Sequence, residues 1–96
     1  MQGASLPAAG QTVAMPVLRY FAAVRAAASI GEEVVEAATL ADALSSARGR
    51  HDARFSQVLE VCSFLVDEAP VGTRDHATIE LTADSIVDCL PPFAGG

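Results

Sequence analysis

Lysine is missing from this sequence altogether. All six basic residues are arginine (Arg19, Arg25, Arg48, Arg50, Arg54 and Arg74), and twelve acidic residues leave a formal charge of −6. Phosphate binding needs a clustered basic surface, so this balance argues against a nucleic-acid partner. Neither sign forms a long run that would mark a solvated tail. Cysteine is nearly as scarce. Cys62 and Cys89 are too few for a secreted disulfide scaffold, and with His51 and His76 they give no C-x-x-C pair or other zinc-ligand spacing. Both are read as small buried hydrophobes, without a local base or ligand cluster for cysteine or metal catalysis. No apolar run approaches the ~20 residues of a membrane span, and residues 1–15 lack the basic start and sustained apolar stretch of a signal peptide. These absences predict a cytoplasmic protein with no membrane partner.

What is present is enough for one packed core. The chain has 96 residues and is 51% hydrophobic, with a mean hydropathy of +0.34. Such a composition folds, and its length holds a single domain. Residues 1–14 are rich in Gly, Ala, Pro, Gln and Ser without periodicity, and they precede a second methionine, Met15. They read as a flexible extension, and residues 15–90 as the domain.

Within the domain, Val17-Leu18-Arg19-Tyr20-Phe21 is β-branched and aromatic, with Leu18 and Tyr20 opposite Arg19. A connection, Ala23 to Ala26, and a turn at Gly31 lead to a second strand over Glu32 to Ala37. Thr39 then offers a cap with Asp42 three residues on, while Leu40, Ala43, Leu44 and Ala47 recur at helical spacing. Arg48 suits the negative end of this helix and Gly49 is expected to stop it. Arg50 to Arg54 reads as a loop, with one further helical turn at Phe55, Val58 and Leu59. Val61 to Val66 is a third strand, Asp67 to Gly72 a turn with a short continuation, Thr78 to Leu81 a brief strand, and Ile86 to Leu90 the last. Two opening strands, a crossover helix and closing strands predict an α+β domain.

After the last strand comes Leu90-Pro91-Pro92-Phe93-Ala94-Gly95-Gly96. The prolines hold φ near −65° and favour extended backbone, projecting residues 91–96 from the sheet. Six residues reach about 20 Å at 3.3 to 3.6 Å each, enough to enter a partner's active site. Gly95 and Gly96 carry no Cβ, so they fit a narrow slot and can present the terminal carboxylate to an enzyme.

Residues 15–96 resemble the small subunit of molybdopterin synthase, within the superfamily of β-grasp, ubiquitin-like sulfur carriers. Tyr20-Phe21-Ala22-Ala23-Val24-Arg25 is similar to the family's opening, Thr39-Leu40-Ala41-Asp42-Ala43-Leu44 to the start of its helix, and Leu90 to Gly96 to its tail. The tail is the specific motif. Departures from the family pattern are Ala26 in place of an acidic residue, Ala83-Asp84-Ser85 in place of an acidic-glycine-acidic turn, and Asp88 where many relatives are apolar.

The resemblance implies a mixed sheet of about five strands packed on one main helix, with the last strand between the first and third, so that Cys62 and Cys89 fall on neighbouring strands. It implies that an E1-like adenylating enzyme spends ATP on the Gly96 carboxylate, and that a persulfide sulfur donor turns the adenylate into a thiocarboxylate. The tail, Pro91, Pro92, Phe93, Ala94 and Gly95, then enters the large subunit of molybdopterin synthase, which holds the catalytic residues and works on cyclic pyranopterin monophosphate. This chain is then a sulfur-donating subunit, not a complete enzyme, and binds no permanent cofactor. Phe93 either anchors the tail in an apolar groove of the partner or packs back on its own domain. Other expectations are a carrier for thiamin thiazole or cysteine synthesis, a ubiquitin-like protein modifier, or an interaction domain whose tail is inert. Without lysine, a modifier could not build lysine-linked chains on itself.

Overall fold

The computed structural model describes residues 14–92. Residues 1–13 of the expected extension, and Phe93, Ala94, Gly95 and Gly96 of the tail, lie outside the described residues. Five strands form one mixed sheet: β1 (Val17–Tyr20), β2 (Glu32–Val34), β3 (Ser63–Val66), β4 (Ala69–Pro70) and β5 (Ile86–Leu90), in the order β2-β1-β5-β3-β4. β5 lies parallel to β1 and antiparallel to β3. The last strand is therefore central, as expected. This is the β-grasp, ubiquitin-like arrangement.

Period-two alternation divides the sheet into two faces. Leu18, Tyr20, Phe64, Val87 and Cys89 point into the core, where they join Val24, Leu40, Ala43, Leu44, Ala47, Phe55 and Leu59 from three helices. These helices are α1 (Ala22–Ala28), α2 (Leu40–Arg50) and α3 (Ala53–Glu60). The expected helix is α2, the longest. Thr39 caps it, its hydroxyl accepting from the Asp42 amide at 3.1 Å, and the four residues placed on its inner face are all buried. Gly49 does not end it. Arg50 extends the helix, and its guanidinium donates to Glu33 Oε1 at 3.2 Å and to the Val34 carbonyl at 2.8 Å. That anchorage holds one more residue in helical form.

Two further corrections concern helices. The connection expected at 23–26 is α1, which buries Val24 and Ala28 and carries no side-chain cap. It begins with Ala22 at φ 51° and stops at Ser29 at φ 65°, both left-handed. The single turn expected at Phe55 is the two-turn α3, capped by Asp52, whose carboxylate accepts from the Phe55 amide at 3.1 Å. Thr78 to Leu81 is not a strand. A 3-10 turn at His76–Thr78 is followed by one bridge, Glu80 to Thr39. The second strand is shorter than expected, but its pairing continues: the amides of Val35 and Ala37 donate to the carbonyls of Pro16 and Ala14. Ala14, placed with the extension on sequence grounds, is buried against the domain.

One polar cluster is held under the helices at the β2 edge. Tyr20 Oη donates to Glu33 Oε2 at 2.5 Å, His51 Nε2 lies 2.6 Å from the same oxygen, and Arg50 reaches the other oxygen. The Tyr20 and His51 rings pack on Phe55, with centroids 5.3 and 4.4 Å away. Burial, then the Glu33 bond, pushes the Tyr20 phenol above its ordinary range. For Glu33, burial works against the charge, yet bonds from Tyr20, His51 and Arg50 outweigh it and hold the carboxyl below its ordinary value.

Candidate functional site

The candidate site is the end of β5 and the tail that follows it. β5 is held from both sides and from its start. Its start is fixed by Asp67, whose carboxylate accepts from the Ile86 amide and whose own amide donates to the Ile86 carbonyl, both at 2.9 Å. Asp67 and Glu68 form the two-residue loop of the β3–β4 hairpin, each with positive φ (50° and 72°), as a type I′ turn requires. The turn entering β5 departs from the family pattern, and its geometry supplies a substitute. The Ser85 hydroxyl accepts from the Thr82 amide at 2.8 Å, while the Ser85 amide donates to the Thr82 carbonyl at 3.1 Å. Ser85 is buried, so a side-chain oxygen closes this turn.

Pairing ends at Leu90, opposite Ser63. Pro91 and Pro92 have no amide proton, so neither can extend the ladder, and the chain must leave the sheet there. Pro91 is buried and Pro92 exposed. These two carry the exit of the tail from the most constrained strand of the fold. Placement of the reactive end, expected at Gly96, lies outside the described residues.

Beside this exit, sequence reasoning missed an ion pair. Arg19 and Asp88 occupy paired positions on parallel β1 and β5, on the face away from the helices. Arg19 Nε and Nη2 donate to the two Asp88 oxygens at 2.6 and 3.0 Å. The hydrogen bond and charge of Asp88 raise the Arg19 pKa, and Glu32 and Glu68 add smaller contributions. The Phe21 ring centroid lies 5.8 Å from the guanidinium carbon. Two signals could have found the pair: Arg19 points opposite Leu18 and Tyr20, and Asp88 points opposite Val87 and Cys89. Strand order then makes them neighbours.

The cysteines do not form a nucleophilic centre. Cys89 sits on β5 and Cys62 just ahead of neighbouring β3, both as free thiols. Burial pushes the Cys62 thiol up to about 11 and drives Cys89 higher still. Both are protonated at neutral pH, when the thiolate is the reactive form. Among the described residues, no three His, Cys, Asp or Glu side chains come together as a metal-binding group, and no helix is long and apolar enough to cross a membrane.

Comparison with known proteins agrees with this geometry. Small archaeal modifier protein 1 from Methanosarcina acetivorans superposes with a TM-score of 0.76 at 19% identity, covering 90% of this chain and 100% of that one. The protein of the same name from Haloferax volcanii gives 0.72 at 22%, covering 85% and 99%. A chain of the complex of subunits 1 and 2 of the molybdopterin-converting factor from Helicobacter pylori gives 0.64 at 18%, covering 85% and 99%. No curated protein sequence matches the chain significantly. The ThiS family matches residues 18–96, a span that takes in all of the sheet but Val17, the three helices and the glycine tail. The chain belongs to the ThiS family and has the ubiquitin-like β-grasp fold.

Proposed function

We propose that this chain is the sulfur carrier of a molybdopterin synthase, working through the carboxylate of Gly96. The observation that carries the reading is the join of a rigid central strand to a proline-led glycine tail, inside a family match that extends to residue 96. A reactive end on a short tether converts an encounter between two molecules into a positioned reaction. The carboxylate alone is a poor electrophile. An E1-like enzyme uses ATP: a carboxylate oxygen attacks the α-phosphorus, pyrophosphate leaves, and an acyl adenylate forms. The terminal sulfur of a persulfide then attacks the acyl carbon and AMP leaves. Reduction of the resulting acyl disulfide by a thiol frees the thiocarboxylate, a soft nucleophile.

The large synthase subunit is the proposed acceptor of the tail, with cyclic pyranopterin monophosphate as the molecule that takes the sulfur. Support for this branch is the likeness to a chain from the Helicobacter pylori complex and the paired prolines, Pro91 and Pro92. Intact-mass measurement of protein from its native host tests the carrier chemistry, with one oxygen replaced by sulfur at Gly96 as the expected result. Deleting Gly96 is expected to abolish sulfur transfer in a reconstituted synthase assay while leaving the melting temperature unchanged. Normal molybdopterin formation by that variant would overturn the reading.

The likeness to two archaeal modifier proteins favours a second reading, attachment of Gly96 to lysines of other proteins. The two separate cleanly. Isopeptide-linked Gly-Gly remnants on target lysines in the host would support the modifier, and their absence alongside a thiocarboxylate would support the carrier.

A further inference from the structure

The outermost strands of a sheet carry backbone donors and acceptors that no neighbour has taken, and a further strand can pair with them. This sheet ends in β2 on one side and β4 on the other. Along β2 and its continuation the backbone alternates in direction. The Gly31 carbonyl accepts from Tyr20, and the Val35 and Ala37 amides donate to Pro16 and Ala14, so the backbone groups of Glu32, Val34 and Glu36 point outward. Ala38, next on the outer side, is already closed: its carbonyl accepts from the Leu81 amide at 2.9 Å. The open stretch therefore runs from Glu32 to Glu36.

Arg50 occupies the middle of that stretch. Its Nη1 donates to the outward carbonyl of Val34 at 2.8 Å, and Glu33 Oε1, 3.2 Å from the same nitrogen, holds it there. Glu33 is itself fixed by Tyr20 and His51, so the guanidinium is anchored to the fold. An incoming strand would need the carbonyl that it covers. The β4 edge is closed in the same way. The Val71 amide donates inward to Phe64, so Pro70 points outward, and a proline has no amide hydrogen to offer. Arg74 Nη2 donates to the Pro70 carbonyl at 3.0 Å, while its Nε donates to the Val71 carbonyl at 3.0 Å. At each edge an arginine stands on the outward carbonyl.

The flanking side chains indicate what is kept out. Glu32, Val34 and Glu36 are exposed and stand on the open face of the sheet, away from the helices, as the pairing of Glu32 with Arg19 shows. A second copy of the chain could add its own β2 antiparallel in three ways. Centred on Glu33, the pairing sets that carboxylate against its counterpart. Centred on Val35, it drives the incoming strand into Leu81 beside Ala38. Centred on Val34, it sets each Glu32 against the Glu36 of the other copy, and like charges directly opposite are unfavourable. The last register is the most open sterically, and its central bond falls on the carbonyl held by Arg50.

We propose that Arg50 guards the β2 edge, preventing a second copy of this chain from adding its own β2 to the sheet, with Glu32 and Glu36 opposing the register that is sterically open. Arg74 has the same duty at β4, where Pro70 leaves a single carbonyl and no donor. With both edges closed the chain stays single, one tail to each domain, whichever protein takes that tail.

The test compares full-length variants by sedimentation velocity over a range of concentrations, with exchange of the Val34 and Glu36 amides followed by NMR. The unaltered chain and E32T/E36T, which keeps the guard, are expected to remain monomeric. R50M/E32T/E36T keeps the stem of the arginine and removes its donors. It is expected to dimerise at least about tenfold more strongly than E32T/E36T, because the freed backbone groups pair across the two-fold axis. The Val34 and Glu36 amides are then expected to exchange more slowly as dimer forms. E32T/E33Q/E36T loosens Arg50 by a second route, through the loss of its anchoring charge, and is expected to dimerise as well. Thermal melts verify the folding of each variant. Monomeric behaviour of both R50M/E32T/E36T and E32T/E33Q/E36T would overturn the proposal. So would equally strong dimers of E32T/E36T, which would leave the guard without effect, or dimers whose Val34 and Glu36 amides still exchange freely, which would place the contact elsewhere.

Discussion

Tyr20 and Arg19 are neighbours in the chain, lie on the same strand, and meet carboxylates on opposite faces of the sheet. Under the helices, Tyr20 joins His51 and Arg50 around Glu33. On the open face, Arg19 meets Asp88 alone. The Glu33 carboxylate, 11% exposed in its side chain, takes three donors to remain charged, because a largely buried charge is costly unless hydrogen-bonded. Asp88 is as shielded as Glu33 but has a single donor residue, an arginine whose side chain is 41% exposed and for which water competes. One carboxylate is shared among three side chains, and the other depends on a single arginine.

The largest effect that separates the faces is a cavity. Phe55 is fully buried between Tyr20 and His51, and Phe55→Ala is expected to cost about 3–5 kcal/mol. Ile86→Ala on the open face is expected to cost under about 1 kcal/mol, because part of that side chain is already in water. Urea unfolding measures both. Similar losses would mean that the open face is as much a core as the covered one.

A smaller effect tests the polar cluster. Glu33→Gln keeps the shape and removes the charge, with an expected loss of about 1–2 kcal/mol at neutral pH after allowing for solvent at the sheet edge. Its pH dependence has a definite sign. The folded carboxyl titrates below the ordinary value of 4.5, so its stabilisation is fully present above that value and fades as pH falls through the folded pKa. The Gln variant should lose less stability than the unaltered chain between about pH 5 and acid unfolding. Parallel stability-pH curves would show that Glu33 is not a charged anchor.

These two clusters also mark the limit of what the sequence discloses. The last strand and the capped helix at Leu40 were legible because each rests on a local pattern, alternation or a hydroxyl cap, whereas the central place of Ile86 to Leu90 came only from the family resemblance carried mainly by the tail. α1 was not, since it has seven residues, no capping side chain and a left-handed alanine at its start. Its stability comes from burying Val24 and Ala28, which is tertiary. α3 did carry a signal in Asp52, three residues ahead of Phe55, but the polar run from Arg50 to Arg54 reads equally as a loop. The union of Glu33 with His51 depends on the α2–α3 corner lying over β2, which no spacing in the chain encodes. The tail is the reverse case: its residue types carry an expected chemistry, while Gly95 and Gly96 are outside the described residues.

The ion pair gives an asymmetric prediction. Arg19→Leu leaves Asp88, 9% exposed in its side chain, without its bidentate donor on an apolar surface. Asp88→Leu leaves an arginine that can turn to water. Arg19→Leu is therefore expected to destabilise the fold more than Asp88→Leu, and the double leucine variant to recover part of the loss. A double-mutant cycle in urea reads this directly. Equal single-mutant losses would place the energy in the pair itself and not in the desolvation of Asp88.

The smallest effect lies where the two faces diverge, at the residue after Phe21. Ala22 turns the chain from β1 into α1 with φ 51°, leaving Phe21 exposed beside Arg19 and sending Val24 into the core. A left-handed conformation costs an L-residue roughly 1–2 kcal/mol, whereas glycine adopts it freely. Glycine also loosens the unfolded chain, which takes back about 0.4–1 kcal/mol. Ala22→Gly is therefore expected to stabilise the domain by about 0.5–1 kcal/mol, a rise of a few degrees in melting temperature for a domain of this size. The substitution removes one exposed methyl group, so binding to the proposed large synthase subunit should be unchanged. A fall in melting temperature would show that the junction is not strained. A rise accompanied by weaker binding would show that this strain is what sets Phe21 and Arg19 in place on the open face, so that the two faces are coupled through Ala22.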